Sequence, residues 1–137
     1  MYDASMAKDQ GGLRSPRWPL ILGDIGALLV VTLLGFYRHN ELEPQSSARM
    51  LATFVPFSAA WFLIAPWHGL FDPSRALDPR RWWVPALAAV FSAPLGAVLR
   101  GVWLSAPVLT VFVGVMAGVM AVVVTAWRLV YLLLVRR

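Results

Sequence analysis

The sequence predicts an all-α integral membrane bundle of four transmembrane helices. Hydrophobic residues fill 59% of the 137 positions and charged residues only 14%, with a mean hydropathy of +0.67. A soluble domain carries about half apolar and about a quarter charged residues, so this chain lacks the polar surface to cover a water-soluble globule. Its apolar residues also gather into four runs, each close to or beyond the ~20 residues that cross a hydrocarbon core. Finally, the basic residues fall unevenly on the segments between those runs, as the positive-inside bias requires.

Residues 1–17 (MYDASMAKDQGGLRSPR) are polar, interrupted by Gly-Gly and without periodicity, and read as a tail. The first helix is expected over about 18–37, with Asp24 inside it. Its length exceeds a signal-peptide core, and the Gly-Phe-Tyr-Arg-His exit lacks a small-residue cleavage pattern, so it reads as an uncleaved anchor. A polar loop, RHNELEPQSS, leads to the second helix at about 50–67, where Pro56 removes a backbone donor and should bend the helix. The segment WHGLFDPSRALDPRRWW (67–83) has two Asp-Pro steps, tandem arginines and aromatics at both ends, a composition suited to the membrane interface. A third helix over about 84–103 tolerates Pro85 in its first turn and carries Pro94 as an expected kink. After the short Ser105-Ala106-Pro107 turn, a fourth helix runs over about 108–135. It is longer than one bilayer crossing and must tilt or extend into the interface near Arg128. Residues 18–135 thus form one transmembrane domain, with 136–137 as its polar end.

Counting Lys and Arg by segment orients the bundle. Lys8, Arg14 and Arg17 lie in the tail, Arg75, Arg80 and Arg81 in the long loop, and Arg136 and Arg137 at the end. The other side holds Arg38 and Arg49 beside Glu41 and Glu43. Both termini and the long loop are therefore expected in the cytoplasm, in a multi-pass protein of the cell (inner or plasma) membrane. Trp18, Trp67, Trp82, Trp83 and Trp103 fall near expected helix ends, as an aromatic belt does. The net charge of +5 follows from this loop bias and does not point to nucleic acid. The lipid bilayer is the expected partner, together with a second copy of the chain or a larger membrane complex.

Few residues are left to carry chemistry. Asp24, Arg100 and Arg128 are ionisable groups inside apolar runs, where a charge is costly and therefore faces the bundle interior, a partner or water. Gly114, Gly118, Ala121, Thr125 and Arg128 share one helical stripe, and Ala86, Ala89, Ala93, Gly96 and Arg100 another. Small residues let helices approach closely in lipid, so both stripes, including the Gly114 and Gly118 pair, are expected packing faces. Asp24 and Arg128 lie at matching depths and are placed to pair, either as an ion pair that fixes helix register or as a proton or substrate group. Arg100 lies near the opposite membrane face, level with Arg38, His39 and Arg49, which together make a candidate anion cluster with Glu41 or Glu43 as internal competitor. Alternatively, Arg100 snorkels to the interface beside Trp103.

Several chemistries are excluded. With no cysteine there is no disulfide, thiolate metal site or Cys nucleophile. His39 and His68 fall on opposite sides of the membrane and cannot share a haem or metal centre, so neither cofactor nor metal is expected. No phosphate-binding Gly-rich loop, Gly-x-Ser-x-Gly or His-Glu-x-x-His motif occurs, and no catalytic residues are assigned.

The order of features resembles the small four-helix membrane proteins grouped as domain of unknown function 3054. The residues that carry the likeness are Asp24 in Leu-Gly-Asp, the Gly-x-x-Arg-His exit (Gly35, Arg38, His39), Pro56, Arg100 and Trp127-Arg128, over about 18–130. The resemblance implies no activity; it implies that these polar residues belong to one unit. Three functions remain. A non-enzymatic membrane component or assembly partner fits the short loops, small-residue faces and missing catalytic groups. A small oligomeric transporter or channel would use Asp24 with Arg100 or Arg128. A membrane enzyme on a lipid or quinone would have only Asp24, His39 and Glu41 for acid or base chemistry.

Overall fold

The computed structural model describes residues 17–40 and 43–137. Four long helices, α1 (Trp18–Arg38), α2 (Ser47–Ile64), α4 (Val84–Leu104) and α5 (Thr110–Val135), are joined by short connections, one of which contains the single-turn helix α3 (Pro73–Ala76). All four long helices belong to segments long and apolar enough to cross a membrane, and no strand occurs among the described residues. They run up and down around a closed square. α4 packs broadly on α2 and α5, and α1 bridges α2 and α5 on the far side, diagonal to α4.

Local chemistry sets the ends. Pro19, Pro85, Pro73 and Pro79 occupy first turns, where a missing N–H costs nothing. After Ile64 the α2 ladder gives way to a 3₁₀ turn, Ala65–His68, because Pro66 has no N–H to continue it. At the end of α4, Ser105 adopts the left-handed region (φ 49°). Ala106 N–H then donates to Gly101 O (3.0 Å) and Ser105 N–H to Val102 O (3.3 Å), the paired bonds of a Schellman stop. The chain turns through Pro107 into α5.

The core is made of small residues on one helix and large ones on its neighbours. Ala88, Ala89, Ser92, Ala93, Gly96 and Ala97 of α4 are buried against Phe57 and Trp61 of α2 and Met116, Met120 and Val124 of α5. The expected α4 stripe is thus the packing face. Gly96 is required there, because a Cβ would lie 2.6 Å from the Phe57 ring. Leu22, Leu29, Leu33, Leu34, Val111 and Val122 point outward, the apolar exterior a bundle presents to lipid.

On α5 the expected stripe faces inward at Arg128 but not at its glycines. Gly114 and Gly118 are exposed, and a Cβ at either would meet nothing within 4 Å. They do not form a helix-packing contact within the chain. The buried residues of α5 are Met116, Met120, Val124 and Arg128, of which the first three pack against the small residues of α4. The small residues therefore gather on α4, and α5 supplies the bulk.

These contacts predict opposite responses at two glycines. Gly96→Val should lower stability by about 1–3 kcal/mol through overpacking. Gly118→Ala should leave it unchanged or raise it by up to about 1 kcal/mol through helix propensity. Unfolding in detergent micelles followed by circular dichroism checks both.

Candidate functional site

Asp24 sits inside α1 with no exposed surface. An ionised carboxylate there must have its lone pairs filled, and three side chains fill them. Trp61 Nε1–H of α2 donates to Oδ2 (2.9 Å), and Trp127 Nε1–H of α5 donates to Oδ1 (3.2 Å). Arg128 closes a two-pronged fork, Nε to Oδ1 at 2.9 Å and Nη2 to Oδ2. A carboxylate offers about four lone-pair sites, so these donors leave no acceptor capacity unused. The bidentate geometry is the strongest an arginine and a carboxylate can form.

Arg128 is 7% exposed and is held on its other side as well. Nη1 donates to the Leu70 carbonyl at 2.7 Å, and its guanidinium carbon lies 5.4 Å from the centre of the Phe71 ring. A cleft of about 20 Å³ beside it, bordered by Arg75, Asp78 and Arg81, has room for about one water.

The loop after α2 delivers Leu70 and Phe71 to this position. Gly69 turns the chain with φ 70°, and a Cβ there would strike the Arg75 side chain. Asp72 caps α3 by accepting from Ser74 N–H (3.1 Å) and Ser74 Oγ–H (2.7 Å). The Ser74 hydroxyl, then its N–H, and the nearby Arg75 hold the Asp72 carboxyl below its ordinary value of 3.8. Asp78 caps the next turn through Arg80 N–H (2.9 Å), and Arg81 Nη2 donates to His68 O (2.9 Å). Each Asp-Pro step is therefore an N-cap followed by a first-turn proline.

Sequence spacing placed Asp24 and Arg128 at one depth, and the structure brings them together. It did not reveal the indoles, the Leu70 carbonyl or Gly23. A Cβ on Gly23 would lie 1.7 Å from Trp127 Cζ2, so glycine is what lets the indole lie flat on α1 and reach the next residue, Asp24. The tryptophans did carry a signal. Trp18, Trp67, Trp82, Trp83 and Trp103 are exposed near helix ends, while Trp61 and Trp127 lie within spans, where a buried N–H needs a partner.

The second group forms only in part. Arg100 does not reach outward beside Trp103. Its Nε donates to Thr53 Oγ1 at 2.9 Å and its guanidinium lies over Phe112, 4.8 Å from the ring centre, so it bridges α2 and α5. His39, Arg49 and Arg100 border a common cavity of about 270 Å³. Arg38 is exposed at the end of α1 and is not part of that lining. Glu41, one expected competitor, lies outside the described residues, and Glu43 is exposed. His68 sits at the other end of the bundle, with Nδ1 3.1 Å from Ile64 O and its ring stacked on Phe91. Among the described residues, no group of three or more His, Asp or Glu is arranged to hold a metal ion.

A family model described as "Protein of unknown function (DUF3054)" matches residues 21–131. The chain belongs to this family. No curated protein and no solved structure matches it. The DUF3054 match begins just before Asp24 and ends just after Arg128, so the whole buried ion pair, the indoles and the Arg100 cavity lie within it. The basic residues Arg17, Arg136 and Arg137 lie outside.

If Asp24 and Arg128 form one unit, their substitutions will not add. Asp24→Ala and Arg128→Met should each cost about 3–5 kcal/mol, because each leaves an unpaired charge in the core. The double variant should cost less than the sum by about 0.5–3 kcal/mol. Trp61→Phe, which removes one bond to the charged carboxylate, should cost about 1.5–3 kcal/mol. Denaturant titration in micelles measures all four, and strict additivity of the pair would show that the fork contributes no coupling.

Proposed function

We propose that this DUF3054 protein is a non-enzymatic component of the cell membrane, a rigid four-helix unit that works by assembling with itself or with a larger complex. The observation that carries this reading is the saturation of Asp24. Its two oxygens accept from Trp61, Trp127 and both prongs of Arg128, and it has no exposed surface. A carboxylate that shuttles protons or catalyses acid–base chemistry needs to exchange its partners with water or substrate, and this one has neither access nor spare lone pairs. The group instead ties α1 to α2, α5 and the long loop. α5 is the least covered of the four spans, with 22% of an 18-residue apolar stretch buried, and so offers the broadest face to another membrane protein.

Two tests address this. Purified protein in liposomes under a pH gradient should show proton flux equal to that of empty liposomes, and flux abolished by Asp24→Asn would overturn the reading in favour of a carrier. Native mass spectrometry from nanodiscs should give a species heavier than the 15.1 kDa chain, whether a homo-oligomer or a complex; a strict monomer under all conditions speaks against assembly.

We also place both termini in the cytoplasm. Arg17, Arg75, Arg80, Arg81, Arg136 and Arg137 lie at the end of the bundle that carries the termini, and the positive-inside bias puts such an end inside. Because the chain has no cysteine, a single Ser74→Cys variant reports its side directly. A membrane-impermeant maleimide should label it only after cells are opened.

A further inference from the structure

We infer that the cavity bordered by His39, Arg49 and Arg100 is a binding site for the oxyanion end of a single-chain amphiphile, a carboxylate or phosphate headgroup with its hydrocarbon tail. This goes beyond the assembly role and does not depend on it.

Four features of the cavity point to this ligand class. First, all four long helices contribute to its wall: the last turns of α1, the first turns of α2 and α5, and the end of α4. Its volume of about 270 Å³ is close to the lower end of the ~300–1,000 Å³ usual for small-molecule sites. It is large enough for a headgroup and the first part of a chain.

Second, the polar groups are set at one end and are oriented. Arg100 is held by Thr53 on one side and by the Phe112 ring on the other, while Thr53 Oγ1 in turn donates to the Arg49 carbonyl at 3.0 Å. The guanidinium plane is thereby fixed before any ligand arrives, which lowers the ordering cost of binding. Arginine is also the side chain best matched to planar carboxylate and to phosphate. Arg49 and Arg100 already have partners in the chain, so the anion joins or exchanges with those contacts.

Third, polarity falls with depth. Arg49 lies in the first turn of α2 and Arg100 one turn from the end of α4, at headgroup level. Val31 and Met116 lie deeper and are apolar, and Thr32 at that depth donates its hydroxyl to the Leu28 carbonyl at 3.0 Å. An amphiphile inserted from the membrane has the same gradient.

Fourth, the cavity opens sideways. Lining residues Gly35 on α1 and Val115 on α5 are exposed, as are His39 and Arg49 at the end of the bundle, so the opening reaches the lipid-facing side between α1 and α5 as well as headgroup level. Gly35 has no side chain to close it, and a Cβ there would meet nothing within 4 Å.

The test uses the full chain in nonionic detergent and isothermal titration calorimetry with four probes: oleate, oleoyl lysophosphatidate, oleyl alcohol and inorganic phosphate. Oleate or the lysophosphatidate should bind saturably with one site per chain, and the tighter of the two identifies the headgroup. Arg100→Gln should weaken that binding about 10–100-fold, the range expected for losing a charge-assisted hydrogen bond. Gly35→Phe adds bulk to the cavity wall at a position where a Cβ meets nothing within 4 Å, and should abolish binding while leaving thermal unfolding unchanged. That second variant keeps the result readable if Arg100→Gln misfolds. Oleyl alcohol binding as tightly as oleate, or phosphate binding as tightly as the lysophosphatidate, overturns the proposal. So does binding that survives Gly35→Phe, or no binding of either charged amphiphile.

Discussion

A single carboxylate governs the interior of this protein. Asp24 lies where no water can solvate it, and an unsolvated charge in such a place costs several kcal/mol unless every lone pair is matched. The rest of the core can be read as the set of conditions for that match. Arg128 must reach across from α5, two indole N–H groups must converge from α2 and α5, and Gly23 must be bare so that one of those indoles can approach. The arginine has donors left over, so the backbone after α2 must fold back to present a carbonyl, which fixes the shape of the long loop. Interior packing follows the same logic, since α2 and α5 come close enough to share one carboxylate only because α4 presents alanine and glycine between them.

The two ends of the bundle solve different problems. At the end carrying the termini, charge is enclosed: the fork is completed, the loop is capped by its own aspartates, and little space remains beside Arg128. At the opposite end, Arg100 is steadied by a threonine and an aromatic ring but borders open volume. Both arginines are oriented by neighbours rather than by solvent. That contrast separates a charge enclosed on all sides from one that borders a cavity, and it could not have been drawn from depth alone.

Much of this was legible in the residue order. Four apolar runs and their proline positions give the bundle, because hydrocarbon thickness and the missing proline N–H act on local sequence. The shared depth of Asp24 and Arg128 follows from helical rise. What stayed hidden depended on helix rotation. Gly114 and Gly118 are as regularly spaced as Ala89, Ala93 and Gly96, but only the latter three are turned inward, because which face of a helix packs is decided by its neighbours' volumes. Arg38 and Arg49 bracket the same loop, yet the way α1 ends leaves only the second on the cavity. Trp61 and Trp127 differ from the other tryptophans by lying within spans, a cue that becomes decisive only once a buried acceptor is placed beside them.

The fork also has a consequence in time. Its two partners are separated by 104 residues, so during synthesis at about 5–20 residues per second the aspartate emerges roughly 5–20 s before the arginine that neutralises it. The first helix is therefore synthesised well before the α5 groups that complete the partners of its carboxylate. Closing the fork is then the last event of assembly. It makes the arrival of α5 the step at which a loosely inserted set of hairpins becomes one body.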